Sequence, residues 1–295
     1  MQNVLNAITL GSLYLLFALG LSVAWGTIGV LNFAHGAVFM FSSYLVHELT
    51  QNVSLPIPLV LLFGAAVGAV MLVLTQLLVF EPIQRRARDA RSAELQILVG
   101  GVGIGSVLVA LAQRSTQSIP FGYPPGGFRV LRYTFGSVQV TNIQVVIIVA
   151  AVLLGGGVAW WLRGSRVGLG LRSIGVDAEI STMMGINRRR MARGTMALAG
   201  AFAGLAGVLL TYYLGSITSE SGDSFLLRGF AAIVLGGVGT VSGTVLGALV
   251  LAVAETAVIS QTSGQWVDAV AFGLIFVMLL VRPRGMLGRR EVRRT

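Results

Sequence analysis

Long apolar runs recur along this chain, and clusters of arginine separate them. That pattern leaves few folds open. In a bilayer every backbone N–H and C=O has to be satisfied within the protein, so only helices and closed barrels span it. A helix needs about 20 apolar residues to cross. Val4–Trp25, Pro56–Phe80, Leu95–Ala112, Ser137–Leu162, Gly194–Thr218 and Trp266–Val281 are runs of this kind. Gly26–Leu49 and Gly229–Val258 are equally apolar but interrupted, the first by Gly29, Asn32, His35 and Gly36, the second by the GGVGTVSG string from Gly236 to Gly243. Only 11% of the residues are charged, against about 25% in a soluble domain. The expected fold class is all-α: one polytopic membrane helical bundle over residues 1–295. It should have about eight transmembrane helices, with broken or re-entrant helices in two pseudo-repeated halves. Ser219–Arg228 reads as a short polar turn between spans.

The arginines orient the bundle. The net charge of +10 resides entirely in arginine, because the chain has no lysine among its 21 basic residues. Four lie in Glu81–Glu94 (Arg85, Arg86, Arg88, Arg91), seven in Arg163–Arg193 and six in the tail, residues 282–295. Basic loops stay in the cytoplasm, so these three segments share that side. Counting crossings back from Glu81 places the N-terminus outside. The tail is cytoplasmic only if Gly229–Val258 enters and returns, as a short helix and a longer one or as a re-entrant loop with one adjustment beside it. No Arg or Lys precedes Val4, so the first run reads as a span rather than a cleaved signal peptide. The membrane explains the positive charge, and no nucleic-acid partner is expected. Without lysine there is no phosphate-binding P-loop; without cysteine there is no disulfide or thiolate metal site.

The charged island from 163 to 193 carries its own helix signal. Val176, Ile180, Met183 and Met184 fall at i, i+4, i+7 and i+8, one helical face. Asp177 and Glu179 occupy the first turn, where the helix dipole favours negative charge. Gly185 follows the last apolar residue, a usual place for a left-handed cap. The reading is a short amphipathic helix that offers an apolar stripe to a partner; a solvated turn lying on the membrane surface fits the same pattern.

Four Gly-x-x-x-Gly pairs, Gly64/Gly68, Gly101/Gly105, Gly200/Gly204 and Gly243/Gly247, predict close helix contacts, since small residues let backbones approach in lipid. Polar groups within spans are expensive and normally face a cavity or a partner. Asn32 and His35 lie three residues apart on one helix face, beside Gly29 and Gly36. Transporters build midplane sites from such broken helices, so the two Gly-marked interruptions are expected to line a common path. The bland alternative is that Asn32 and His35 only bond a neighbouring helix. Gln144, Glu255 and Asp268 are the other intramembrane polar candidates, the last two near enough to span ends to be wet. The two histidines, His35 and His47, form no HExxH, and nothing pairs a nucleophile with a base. No catalytic or metal-ligating residue is expected.

Four stretches of the chain resemble a known family. GTIGVLNFAHGAVFMFSSYL (26–45), GLGLRSIGVDAEISTMMGIN (168–187), FAAIVLGGVGTVSGTVLGALVLAVAE (230–255) and RPRGMLG (282–288) are similar to segments of the LivH-type permease subunit of branched-chain amino acid ABC importers. Ala37 stands where that family often has an acid, and Ile180 and Ser181 where it often has two alanines. The resemblance implies a substrate pathway at Asn32, Phe33, His35, Gly36, Gly236, Gly237, Gly239 and Ser242. It implies a cytoplasmic coupling loop in which Arg172, Val176, Asp177, Glu179, Ile180, Met183, Met184, Gly185, Ile186 and Asn187 dock on an ATPase. The implied partners are a homologous LivM-type permease, two ABC ATPase subunits, an extracytoplasmic substrate-binding protein and membrane lipid, in the bacterial inner membrane. No cofactor is expected on this chain; ATP and Mg would sit on the ATPases. Relatives handle branched-chain amino acids, other amino acids, amides and urea. A stand-alone secondary transporter or channel would suit the broken helices equally, with Glu255 as its coupling carboxylate.

Overall fold

The computed structural model describes residues 1–288 apart from 125, 137 and 263; the end of the basic tail, residues 289–295, lies outside the described residues. The chain is a helical membrane bundle. Its elements are α1 Gln2–Ile28, α2 Ala34–Asn52 and α3 Ile57–Thr75, then a π-helical stretch Gln76–Phe80 leading into α4 Glu81–Arg86. There follow α5 Ala90–Thr116, a hairpin of β1 Arg132–Phe135 and β2 Val138–Thr141, and α6 Asn142–Gly164. Two short helices, α7 Arg166–Ile174 and α8 Ala178–Met183, lead to α9 Arg188–Leu214, α10 Ser221–Gly236, α11 Val241–Gln261 and α12 Val267–Val281. Among the described residues six helices are long and apolar enough to cross a membrane: α1, the continuous Ile57–Arg86 helix, α5, α6, α9 and α11. The others directed through the bundle are α2, α10 and α12, which have 19, 16 and 15 residues.

Gly229–Val258 enters and returns as expected, with Gly237–Thr240 as the turn between α10 and α11. The expected polar turn at Ser219–Arg228 is corrected: α10 begins at Ser221 and carries Arg228 into the bundle, while Asp223 in its first turn stays exposed. Arg228 reads as solvated in the sequence because its partners lie far along the chain.

The two halves repeat. α1 and α9 both have 27 residues, and both end at a glycine with positive φ, Gly29 at 77° and Gly215 at 85°. Each is followed by a non-helical break and a shorter helix, α2 or α10. The packing partners exchange accordingly: α1 lies on α11 as α9 lies on α3, α2 on α5 as α10 on α12, and α2 contacts α10 directly. Gly36 and Gly222 pack backbone to backbone where α2 and α10 cross, and a Cβ on either would overlap the other's carbonyl. Close to that crossing Phe39 and Phe225 stack with centroids 4.7 Å apart and planes 16° apart, and Phe17 sets its edge against both. Each such aromatic pair contributes about 0.5–1.5 kcal/mol beyond its burial. These two pairs mark the pseudo-two-fold axis.

All four glycine pairs sit at helix contacts. Gly64 and Gly68 of α3 meet Gly204 and Gly200 of α9, Gly101 and Gly105 of α5 lie on residues 32–37, and Gly243 and Gly247 of α11 lie on Gly236 and Ala232 of α10. Lipid is as apolar as leucine, so such close van der Waals packing carries helix association here.

Candidate functional site: a membrane break and an exposed loop helix

The break between α1 and α2 is built by residues 29–33. Gly29 ends α1 in a left-handed cap, and Asn32 starts α2: its Oδ1 accepts from the Ala34 N–H at 3.0 Å and its carbonyl from the His35 N–H at 3.2 Å. Asn32 is buried, with Nδ2 3.9 Å from Met196 Sδ on α9. His35 is buried against the Phe17 ring, with Nε2 3.3 Å from the Phe17 carbonyl; its Nδ1 has no partner among the described residues. Phe33, by contrast, is 37% exposed and Gly29 is exposed beside it. Among the described residues, the N–H groups of residues 30–33 donate to no backbone carbonyl. Non-helical backbone at membrane depth is tolerated only against protein or a wet cavity. The open side of this break, next to α5, is therefore one that faces either protein or a water-filled cavity.

The second predicted segment lies elsewhere. Gly236, Gly237 and Gly239 occupy the far end of α10 from the Gly36–Gly222 crossing, and Ser242 begins α11. Fourteen residues of helix separate Gly222 from Gly236, about 21 Å at 1.5 Å per residue. The break that matches 29–33 by symmetry is 215–220. The Gly236–Gly239 turn is held by the tail: the Met286 and Leu287 N–H groups donate to the Leu235 and Gly236 carbonyls at 2.8 and 2.9 Å. Gly237 (φ 110°) and Gly285 (φ 76°) pack so closely that side chains would collide. The tail thus satisfies carbonyls that the end of a helix leaves orphaned.

Three ionic contacts were not readable from spacing. Glu255, fully buried on α11, accepts from the Tyr14 hydroxyl of α1 and pairs with Arg228 of α10 at 3.3 Å. Arg228 also reaches Asp268 of α12 at 2.8 Å. Glu255 is thus not wet, and it is already engaged rather than free to couple an ion. Asp268 is exposed, as expected. At the arginine-rich end, Arg193 of α9 grips Glu81 of α4 through two bonds of 2.6 and 2.8 Å, so the basic loops at 81–94 and 163–193 do share a side. Gln144 closes a capping box with Thr141 at the start of α6.

The loop from 163 to 193 is ordered by its caps. Ser165 caps α7 by accepting from the Gly168 N–H. Asp177 caps α8, accepting from the N–H groups of Glu179 and Ile180, both at 3.0 Å. Gly185 leaves α8 with φ 88°, and Asn187 caps α9 by accepting from the Arg190 N–H at 3.0 Å. Ile174 and Ser181 turn inward. Val176, Met183 and Met184 stand 84%, 84% and 79% exposed, with Ile180 at 41%. Glu179 and Arg172 are exposed beside them, and Ile186 packs towards Gly170 of α7. Four exposed apolar side chains thus stand within nine residues of a polar, cationic loop.

The family described as "Branched-chain amino acid transport system / permease component" matches residues 3–279. BraD, a high-affinity branched-chain amino acid transport system permease protein of Pseudomonas aeruginosa, is 32% identical over 99% of this chain and 97% of its own length. LivH of Escherichia coli K12, described in the same terms, is 31% identical over 99% of this chain and 96% of its own. A probable LivH of Methanocaldococcus jannaschii is 26% identical over 96% and 91%.

Proposed function

Because this chain belongs to the family of permease components of branched-chain amino acid transport systems, we propose that it is a membrane subunit of a bacterial ABC importer, handling branched-chain amino acids. In this reading it lies in the inner membrane with its N-terminus outside and its tail and 163–193 loop in the cytoplasm. A homologous LivM-type permease sits beside it, an extracytoplasmic binding protein delivers the substrate, and two ATPase chains supply the energy with ATP and Mg of their own.

The observation that carries the reading is the solvent-facing stripe of Val176, Ile180, Met183 and Met184. A groove on the ATPase covers it, and ATP-driven closure of the ATPases pulls α8 and, through the capped turns on either side, α7 and α9. α9 packs on α1, α2 and α3, so a pull on α9 reaches the break at 29–33. The exposed side of that break, Phe33 with the Asn32 cap behind it, faces the partner permease and lines the path. The α2 N-terminus presents positive dipole there, which favours a substrate carboxylate. His35 and Gly36 support this wall from within the bundle. Gly236, Gly237, Gly239 and Ser242 border the path at its cytoplasmic end.

Co-purification from gently solubilised membranes tests the assembly. Stoichiometric ATPase and a second permease are expected, and Ile180→Asp or Met184→Asp should abolish substrate-stimulated uptake while leaving the chain inserted. Normal uptake by both variants would remove the coupling assignment. Asn32→Leu should reduce uptake at least tenfold with ATPase association intact; unchanged uptake of every branched-chain amino acid would take Asn32 out of the path.

A further inference from the structure

α6, α7 and α9 meet at the arginine-rich end, with α7 packed on both of the others. The result is a cavity of about 1370 Å³ between the three helices. That exceeds the 300–1,000 Å³ of ordinary small-molecule sites. Its wall is apolar along its length, from Leu153 and Trp161 on α6 to Met191 and Phe202 on α9. At the α7 end two arginines, Arg166 and Arg190, line it. No acid lines it, and among the described residues neither guanidinium has a hydrogen-bond or ion-pair partner.

We propose that this groove is a binding site for an anionic phospholipid of the cytoplasmic leaflet, with acyl chains between α6 and α9 and the phosphate between Arg166 and Arg190. Charge and apolarity are arranged as such a molecule requires, with one cationic end at headgroup depth and a hydrocarbon slot running from it into the membrane. Basic pockets between transmembrane helices on the cytoplasmic side take anionic headgroups for this reason. A helix of a partner protein would need both an apolar face and an acid set between the two arginines, which an anionic phospholipid combines in one molecule. The ligand would bear on function through α7. That helix forms the roof of the groove and runs through Gly175 into the Asp177 cap of α8, so an occupied groove braces the docking helix from behind.

The experiment uses the complex as purified from membranes, reconstituted with phosphatidylglycerol or phosphatidylcholine carrying a photoreactive acyl chain, with mapping of the labelled peptides. Phosphatidylglycerol should label the α6 and α9 segments that line the groove in strong preference to phosphatidylcholine. Each basic side chain at an anionic surface is worth about fivefold in affinity, so the preference should approach ~25-fold. Arg166→Gln with Arg190→Gln should abolish the preference and leave labelling at the phosphatidylcholine level. Gly157→Phe, at a position where a Cβ meets nothing within 4 Å, should fill the slot and suppress labelling by both lipids. Equal labelling by the two lipids would reduce the site to ordinary lipid contact. Absence of label in the intact complex would mean that a protein neighbour occupies the groove. Either result overturns the proposal, and neither bears on the importer assignment.

Discussion

At the scale of single residues, the costliest arrangement is the one the apolar runs conceal. Glu255 has no exposed surface and Arg228 retains only 14% of its side chain's, so Glu255 depends on Arg228 for its charge, while Arg228 keeps Asp268 as a second partner. Removing one partner of a buried pair strands the other, at about 3–5 kcal/mol. Arg228→Ala, which strands Glu255, should therefore lower the unfolding temperature in detergent sharply. Glu255→Ala combined with Arg228→Ala should recover much of the loss, because no charge is then left alone. A single variant as stable as the parent would show that water, rather than Arg228, compensates Glu255. Tyr14 adds its hydroxyl to the same carboxylate, so one side chain ties α1, α10 and α11 together, and Arg228 extends the tie to α12 through Asp268.

At the scale of elements, α8 is short enough for its cap to decide whether it forms. It has six residues, and isolated helices below about 12 residues are marginal in water. Asp177 holds two of its first N–H groups. Asp177→Ala should cost ~1 kcal/mol, fray the helix and lower the uptake obtained per ATP hydrolysed, while Asp177→Asn should retain most of it. Equal uptake per ATP in both variants would make the cap irrelevant to coupling. The existence of this element was legible in the sequence because its signals are local, acid at the start, apolar residues at helical spacing and glycine at the end, but its bounds were not: Val176 and Met184 lie outside the helix and Asp177 is its cap rather than part of its first turn. The spans and the four glycine pairs were legible for a similar reason, since span length and four-residue spacing are properties of a single helix. The Glu255–Arg228 and Glu81–Arg193 pairs were not, because only the fold brings such residues together. The same holds for Arg228, which looks like part of a loop until its partners on α11 and α12 are in place. Gly236–Gly239 is Gly-rich in the sequence for a reason that spacing does not convey: the tail must approach its backbone at Gly237 and Gly285.

At the scale of the whole molecule, the pseudo-two-fold relation and the arginine distribution make a joint demand. α1 and α9 occupy equivalent places about an axis through Gly36 and Gly222 but begin at opposite ends of the bundle. Gln2 hydrogen-bonds Gln139 of the hairpin, whereas Arg188 lies by Thr27 at the other end of α1. The repeat is therefore inverted, and its axis lies in the membrane plane, as in many transporters. Inversion alone does not say which end faces the cytoplasm; the proposed orientation rests on charge, since the basic loops 81–94 and 163–193, with 11 of the 21 arginines, lie at the Arg188 end. The chain contains no cysteine, so single cysteines can report the orientation without background. Ser115→Cys, exposed at the hairpin end of α5, should react with a membrane-impermeant maleimide in intact spheroplasts. Arg88→Cys, exposed in the turn before α5, should react only in inverted vesicles or after permeabilisation. Met183→Cys should follow Arg88→Cys, but only once the ATPase has been stripped, since the same surface is proposed to be covered. The opposite pattern for Ser115 and Arg88 would put the arginine-rich end outside and leave α8 no ATPase to meet. Correct sidedness with Met183 always reactive would keep the topology and remove the docking.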